Sequence, residues 1–347
     1  MHLYRLGLVP WQESQLAYHA LAHLGREGLI LCSPSRPYVS VGYFQDPVQE
    51  LDLEYCSAAG LPVFRREVGG GAVYLDRHQL FWQVVLGREH PLVSLNRQRF
   101  YERLLVPVVA VYKDLGVPAR MAPINDVAVG SRRIAGTGAG EIGDSVAFVG
   151  NLMRRFDCAA MTRVLRAPDQ AFRASFQAHM ERQLTSLSRE LGVRREAALD
   201  DEALYDLLAA RFTEVLGPLD ERPLDAELVA AMDKLGRRML SPTWTNFPRR
   251  ASPMRRVKVR AGLFLHHWQG AASGNRLAAQ FTSLDGKVVE FRLQGGAEEL
   301  RRMETRITRE FVERDVRRLQ KYLGDIAAKG KNNSPSLESA NYLAGQV

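Results

Sequence analysis

The chain has 347 residues, 46% of them hydrophobic and 25% charged, with a net charge of +8. That length exceeds one typical domain and suffices for a substantial core. The absence of any run of eighteen apolar residues argues against a membrane-spanning helix. Three scattered cysteines without C-x-x-C spacing disfavour a disulfide framework and a zinc site. The opening residues Met1-His2-Leu3-Tyr4-Arg5-Leu6 lack the apolar core of a secretory leader, so the expected location is the cytoplasm.

In chain order, periodicity predicts a helix from Trp11 to Leu24, an apolar run from Leu29 to Cys32, and helices from Leu95 to Leu115 and Asp201 to Leu216. Gly217-Pro218-Leu219-Asp220-Glu221-Arg222-Pro223 reads as a linker. After it come a helix from Asp225 to Leu240 and strands near Val257 to Trp268, Arg276 to Ser283 and Lys287 to Leu293, the last two joined by the hairpin dipeptide Asp285-Gly286. Leu300, Ile307, Phe311, Val316 and Leu319 mark one helix from Glu298 to Tyr322. The tail from Lys329, with Asn332-Asn333-Ser334-Pro335-Ser336, is expected to be mobile. The expected domains are therefore 1–218 and 219–328, followed by the tail 329–347.

Two segments carry chemistry. The first is Arg65-Arg66-Glu67-Val68-Gly69-Gly70-Gly71-Ala72-Val73-Tyr74-Leu75-Asp76. Three glycines in a row let backbone N–H groups close around a carboxylate or phosphate, and guanidinium groups fork onto the same oxygens. A glycine-rich hairpin beside solvated arginines explains the spacing equally well. The run is neither G-x-G-x-x-G nor a Walker motif.

The second segment, Ile124 to Gly140, reads as strand, tight turn at Gly130-Ser131, strand and glycine-rich loop, because Val127 and Val129 alternate with small residues. Asn125 and Asp126 stand at the start of its first strand. There they are either turn residues or an amide and a carboxylate able to hold Mg2+ or a nucleotide.

Together the segments resemble the biotin and lipoate protein ligase superfamily, most closely the lipoate-protein ligase A branch. The first signature matches at Arg65-Arg66, Gly69 to Gly71, Ala72-Val73-Tyr74 and Asp76, with Leu75 where histidine is usual. The second matches at Asn125-Asp126, Val127 to Gly130 and Ile134-Ala135-Gly136, with Arg133 at the position of the family's catalytic lysine. Val39-Ser40-Val41-Gly42 through Gly60-Leu61-Pro62-Val63 is similar to the family's approach to the arginine pair. Ser241-Pro242-Thr243-Trp244 and the strand-rich region beyond it resemble the accessory domain, and Val149-Gly150-Asn151-Leu152 stands where many members carry His-Gly.

The resemblance implies an α+β fold: a catalytic domain with a mixed or antiparallel sheet of the biotin/lipoate ligase type and helices packed on it, plus a smaller α+β accessory domain. It implies ATP and Mg2+ as cofactors and lipoate or octanoate as substrate. The acid would be activated as an acyl-adenylate and transferred to a lysine of a lipoyl-domain protein, of the 2-oxoacid dehydrogenase E2 or glycine-cleavage H type. By the same resemblance, Arg65, Arg66, Gly69, Gly70, Gly71, Ala72, Val73, Gly136 and Thr137 bind substrate. Asp76, Asn125 and Asp126 bind nucleotide, Asp126 also holds the metal, and Arg133 is the catalytic cation.

A guanidinium is planar and permanently protonated where an ammonium is compact, so Arg133 serves an electrostatic role but not one that releases a proton. Two alternatives therefore stay open: an ATP-independent octanoyl or lipoyl transferase, and a non-catalytic acyl or lipoyl-domain binding protein. The transferase needs a nucleophilic thiol, and Cys32, Cys56 and Cys158 are the candidates. Val73, Phe81 and Trp82 are candidates to wall an acyl chain, with ordinary core as the simpler reading. Arg249-Arg250, Arg255-Arg256, Lys258 and Arg260 form the densest basic stretch. No nucleic-acid motif accompanies it, and a basic face suits an acidic protein partner instead. Adjacent His266 and His267 would face opposite sides of a strand, which argues against a shared metal.

Overall fold

The computed structural model describes residues 1–122, 125–247, 254–272, 275–294 and 298–332. They fall into two compact units, one of Met1–Ala167 with Gln177–Arg249, the other of Pro168–Phe176 with Arg250–Val347.

The first unit contains β1 (His2–Val9), β2 (Gly28–Pro34), β3 (Tyr38–Val41), β4 (Val63–Arg65), β5 (Val73–Leu75), β6 (Gln79–Gly87), β7 (Arg120–Ala122), β8 (Asp126–Val129), β9 (Arg132–Ala135), β10 (Thr137–Ile142), β11 (Ser145–Met153) and β12 (Asp220–Glu221). Six of them form a mixed sheet in the order β10-β11-β6-β2-β1-β12. In it β1 runs parallel to β2 and β12 while the remaining pairs are antiparallel. Two three-stranded sheets, β4-β3-β5 and β7-β8-β9, carry the two signature segments.

Strand β6 explains the layering. Its even residues Leu80, Trp82, Val84 and Leu86 join one core with the helices Arg97–Asp114 and Asp201–Leu216. Odd residues Phe81 and Val85 join a second core with the helices Glu13–His23 and Ala226–Met239. A side-chain period of two thus buries both faces of one strand, and the unit is a helix–sheet–helix sandwich.

The second unit is a four-stranded antiparallel sheet of β13 (Met254–Arg260), β14 (Leu263–Ala272), β15 (Asn275–Leu284) and β16 (Lys287–Gln294), in that order. The helices Glu298–Phe311 and Val316–Asn332 pack through Met303, Ile307, Leu319 and Leu323 onto Trp268, Phe281 and Val288. Asp285 and Gly286 at the β15–β16 turn have φ of 49° and 82°, the two positive angles that a two-residue hairpin of this type demands.

Several expectations need correction. The glycine-rich loop expected at 136–140 is mostly strand β10, paired with β11 from Thr137↔Gly150 onward. The expected linker 217–223 contributes β12, the edge of the main sheet, through His2↔Asp220 and Leu3↔Glu221. The single strand Val257 to Trp268 is two strands reversing at Ala261-Gly262, where Gly262 has a φ of 74°. The single helix Glu298 to Tyr322 is two. Glu313, at a φ of 65°, breaks it while its amide donates to Val288 O and that of Val316 to Gly286 O, so hydrogen bonds to the hairpin replace the helical ones. The helix Ala226–Met239 and the described residues up to 247 belong to the first unit. Ile124, Arg249, Arg250 and the tail from 333 lie outside the described residues. No helix among the described residues is long and apolar enough to cross a membrane.

Candidate functional site

The arginine pair leaves β4 in two different environments. Arg65 is 2% exposed, and its guanidinium donates to the carbonyls of Tyr43 (2.8 Å), Gln45, Trp244 (3.1 Å), Thr245 (3.2 Å) and Phe247 (2.9 Å). In return Trp244 Nε1 donates to Arg65 O at 2.9 Å. Arg65 therefore ties the loop after β3 to the segment 241–247, which the sequence reading placed with the accessory domain.

Arg66 holds the glycine loop. Its guanidinium donates to Gly69 O at 3.0 Å, Gly71 O at 2.8 Å and Ser40 O at 3.1 Å. Burial pulls it below its ordinary range, and carbonyl oxygens meet its charge. With the carbonyls of Gly69 and Gly71 turned to Arg66, the loop's shape is fixed from inside. Gly70 adopts a φ of 105°, and a Cβ on Gly42 would stand 2.1 Å from Gly70 O, so glycine is required at both positions for the loop to seat. A Cβ on Gly71 would meet nothing within 4 Å, which leaves that stretch of backbone approachable. Ala72 and Val73 are half-buried at the loop's exit.

Glu67, between the arginine and the glycines, accepts from His23 Nε2 and from Arg238, both at 2.8 Å. Burial opposes its ionisation, but these donors hold the carboxyl below its usual range. Its amide donates to Nε2 of fully buried His19 at 3.0 Å, and His19 Nδ1 lies 2.7 Å from Gln15 O. Burial pushes His19 down to about 4, so it stays neutral and serves as an acceptor.

The second signature forms the hairpin β8–β9. Asp126 is 3% exposed at its start. Asn125 donates from Nδ2 to Thr137 Oγ1 at 3.0 Å, and that hydroxyl donates to Asn125 O at 2.6 Å. Arg133 sits opposite Ala128 and is half-buried. Its carbonyl accepts from Thr185 N at 2.9 Å, while its Nε is buried with no hydrogen-bond partner. No carboxylate pairs with its guanidinium among the described residues, whereas neighbouring Arg132 pairs with Glu190 at 2.8 Å. The two signatures meet along β10: Gly69 N donates to Ala139 O at 3.4 Å, and a Cβ on Gly140 would be 3.0 Å from Val68 Cα. Gly69, Thr137 and Asn125 are thus joined by contacts along one strand, whereas Arg65 is engaged by carbonyls away from it.

Two buried amides missed by the sequence reading join the same region. Gln79 donates to Tyr74 O at 3.2 Å and accepts from Asn151 Nδ2 at 2.6 Å; Asn151 Oδ1 accepts from Gly136 N at 2.7 Å. The available signal was an amide within each of two apolar strands, Gln79-Leu80-Phe81-Trp82 and Val149-Gly150-Asn151-Leu152. Asp76 lies at the β5–β6 turn, accepting from His78 N at 2.9 Å, and burial raises its pKa.

Other candidates belong elsewhere. Trp82 is fully buried against Phe148 and Phe212, and Phe81 is buried in the opposite core. Burial pushes the Cys56 and Cys158 thiols up to about 11 and Cys32 higher still, which disfavours thiolate. No cluster of three metal-ligating side chains occurs among the described residues. A Mg2+ held mainly by phosphate oxygens and water needs as little as one carboxylate, and Asp126, buried at the start of the hairpin, is the carboxylate of this segment. Arg133 is a cation without a carboxylate partner among the described residues, and nothing crowds the Cβ direction at Gly71.

The signature pattern described as the lipoyl protein ligase A/B catalytic domain matches residues 10–213. An octanoyltransferase LipM of Moorella thermoacetica is 28% identical over 48% of this chain and 68% of its own length. Subunit 1 of the lipoate-protein ligase A of Thermoplasma acidophilum is 28% identical over 39% of this chain and 54% of its own length. A lipoate–protein ligase 1 of Staphylococcus aureus is 30% identical over 40% and 41%. Among solved structures, the bipartite lipoate protein ligase of Thermoplasma acidophilum, described with its E2 lipoyl domain, superposes with a TM-score of 0.61 at 21% identity, covering 72% of this chain and 98% of that one. A lipoate-protein ligase A bound with ATP gives a TM-score of 0.57 at 20% identity over 70% and 97%. These likenesses establish the fold.

Proposed function

The chain belongs to the lipoyl protein ligase A/B catalytic-domain family, and we propose that it activates lipoate or octanoate with ATP and transfers the acyl group to a lysine of a lipoyl-domain protein. In the first step a carboxylate oxygen of the acid attacks the α-phosphorus and pyrophosphate leaves. In the second the lysine amine attacks the acyl carbonyl, AMP leaves, an amide forms and one proton is released. Neither step needs a proton taken up by Arg133. The guanidinium's part is to hold the carboxylate and α-phosphate oxygens together as charge builds between them. Glycine-loop amides act as further donors, with Asn125 and Asp126 at the nucleotide. Mg2+ on Asp126 would neutralise phosphate charge.

The observation that carries this reading is Arg133, a half-buried cation with an unpartnered Nε and no carboxylate among the described residues, on a hairpin tied through Asn125 and Thr137 to the strand beneath the glycine loop. A partly buried cation lacking a partner is costly unless a ligand anion supplies one.

The test incubates the protein with ATP, Mg2+, lipoate or octanoate and a lipoyl-domain acceptor, and measures pyrophosphate and modified acceptor. The parent is expected to modify the acceptor. Arg133→Lys should retain activity, and Arg133→Ala should lose about 100-fold or more in kcat. Activity confined to the lysine variant would identify a disabled ligase instead.

A second reading, octanoyl transfer from a carrier thioester without ATP, is favoured by the likeness to octanoyltransferase LipM. It requires a thiolate, and the raised thiols oppose it. Retention of ATP-dependent activity in Cys158→Ser would remove it.

A further inference from the structure

Gly136 is the single residue between β9, in the small sheet that carries Arg133, and β10, in the main sheet on which the glycine loop rests. The angle at that joint sets where Arg133 stands relative to the loop. Its main-chain groups are both held by Asn151: Gly136 N donates to Asn151 Oδ1 at 2.7 Å, and Asn151 N donates to Gly136 O at 3.2 Å. A Cβ at 136 would stand 3.2 Å from Asn151 Oδ1, and one at 150 only 2.7 Å from Gly136 O, so glycines at both places admit this close approach. Asn151 is in turn oriented by Gln79, which is fully buried and anchored on Tyr74 O of the strand that leaves the glycine loop.

We infer that Gln79 and Asn151 are positioning residues: a buried amide pair that fixes the Gly136 joint, and through it the placement of Arg133 against the first signature. This rests on the ligase reading of the site. The amide pair has one sensible orientation. Asn151 must present Oδ1 to Gly136 N, so Nδ2 faces Gln79 Oε1, and Gln79 Nε2 is left for Tyr74 O and the Asp76 carboxylate. The bonds of Gln79 to Tyr74 O and to Asn151 are buried and the one to Gly136 N is part-buried, so an unmade partner is costly and the joint is held firmly. Neither side chain needs to touch substrate. Displacement of a charged group by about 1 Å is enough to cost about 100-fold in rate.

The test compares the parent with Gln79→Leu, Asn151→Leu, their double variant, and the exchange Gln79→Asn with Asn151→Gln, which keeps the summed side-chain length and the order of donor and acceptor. Pyrophosphate release is measured with octanoate and ATP, alongside thermal unfolding and amide exchange at Gly136. Each single variant should lose about 10- to 100-fold in kcat with KM for ATP changed less than about threefold. The double variant should be no worse than the poorer single, the exchange should recover most of the rate, and Gly136 exchange should quicken with the loss. A folded Asn151→Leu with parental kcat would overturn the inference, as would additive losses that the exchange fails to recover. If a leucine variant does not fold, the exchanged pair alone decides: near-parental kcat and Gly136 protection support the relay, and a folded but slow enzyme overturns it. Failure of the ligase reading looks different, because the parent itself then releases no pyrophosphate. In that case octanoate affinity by calorimetry takes the place of rate, and an unchanged Kd in a folded Asn151→Leu overturns the relay.

Discussion

Arg65 and Arg66 are adjacent in sequence and alike in chemistry, yet their surroundings differ. Arg65 donates to five carbonyls contributed by the loop after β3 and by residues 244–247. Its removal would leave those oxygens without their cation, so Arg65→Ala is expected to lower stability by about 3 kcal/mol or more, read by urea unfolding. Arg66 grips only the glycine loop and Ser40. Arg66→Lys retains a charge but cannot reach Gly69 O, Gly71 O and Ser40 O together, so it should raise KM for acid or ATP about 10-fold with a smaller change in unfolding midpoint. Equal effects of the two substitutions on KM and stability would contradict this division.

At the level of strands and loops, close backbone approaches are the sensitive points. A Cβ at Gly150 would lie 2.1 Å from Trp82 Cζ2, on a ring already packed against Phe148 and Phe212, so Gly150→Ala should destabilise by about 1–3 kcal/mol through overpacking. At Gly42 the obstacle is backbone, Gly70 O at 2.1 Å, and Gly42→Ala should displace the glycine loop. Its expected signature is lost pyrophosphate release with the unfolding midpoint moved by only a few degrees. The sequence revealed much at this scale. The helix Asp201–Leu216 has the predicted bounds, since its apolar spacing is regular and Gly217 ends it. The glycine signature was legible because its residues are contiguous. The Gln79–Asn151 bond was not, because its partners are 72 residues apart and meet only through the pairing of β6 with β11. Helix 298–322 was misread because apolar spacing continues across Glu313 while the backbone turns aside to bond the β15–β16 hairpin.

Over the whole molecule, acidity acts on both units through buried histidines. His19 is depressed from 6.5 to about 4 by burial, and His266 in the second unit to about 3 by burial and Arg256. In each case the unfolded chain binds a proton more readily than the folded one. Stability is therefore full above about pH 6.5 and falls as pH drops toward the folded value. For His19 the fall is about 2 kcal/mol by pH 5, at about 1.4 kcal/mol per pH unit. Urea midpoints at pH 7 and pH 5 should differ accordingly for the parent. They should differ less for His19→Gln, which keeps an acceptor for the Glu67 amide, and an unchanged pH dependence in that variant would refute the assignment.

The clasp between Trp244 and Arg65 also dictates where this polypeptide can be severed. A scission near Pro218, where the glycine- and proline-bearing stretch 217–223 suggests a seam, would strip away three of the five oxygens around a charge that is 2% exposed and remove the indole that caps it. Such a fragment should be insoluble on its own yet recover when the missing piece is supplied in trans, whereas one ending after Phe247 keeps every oxygen of the set.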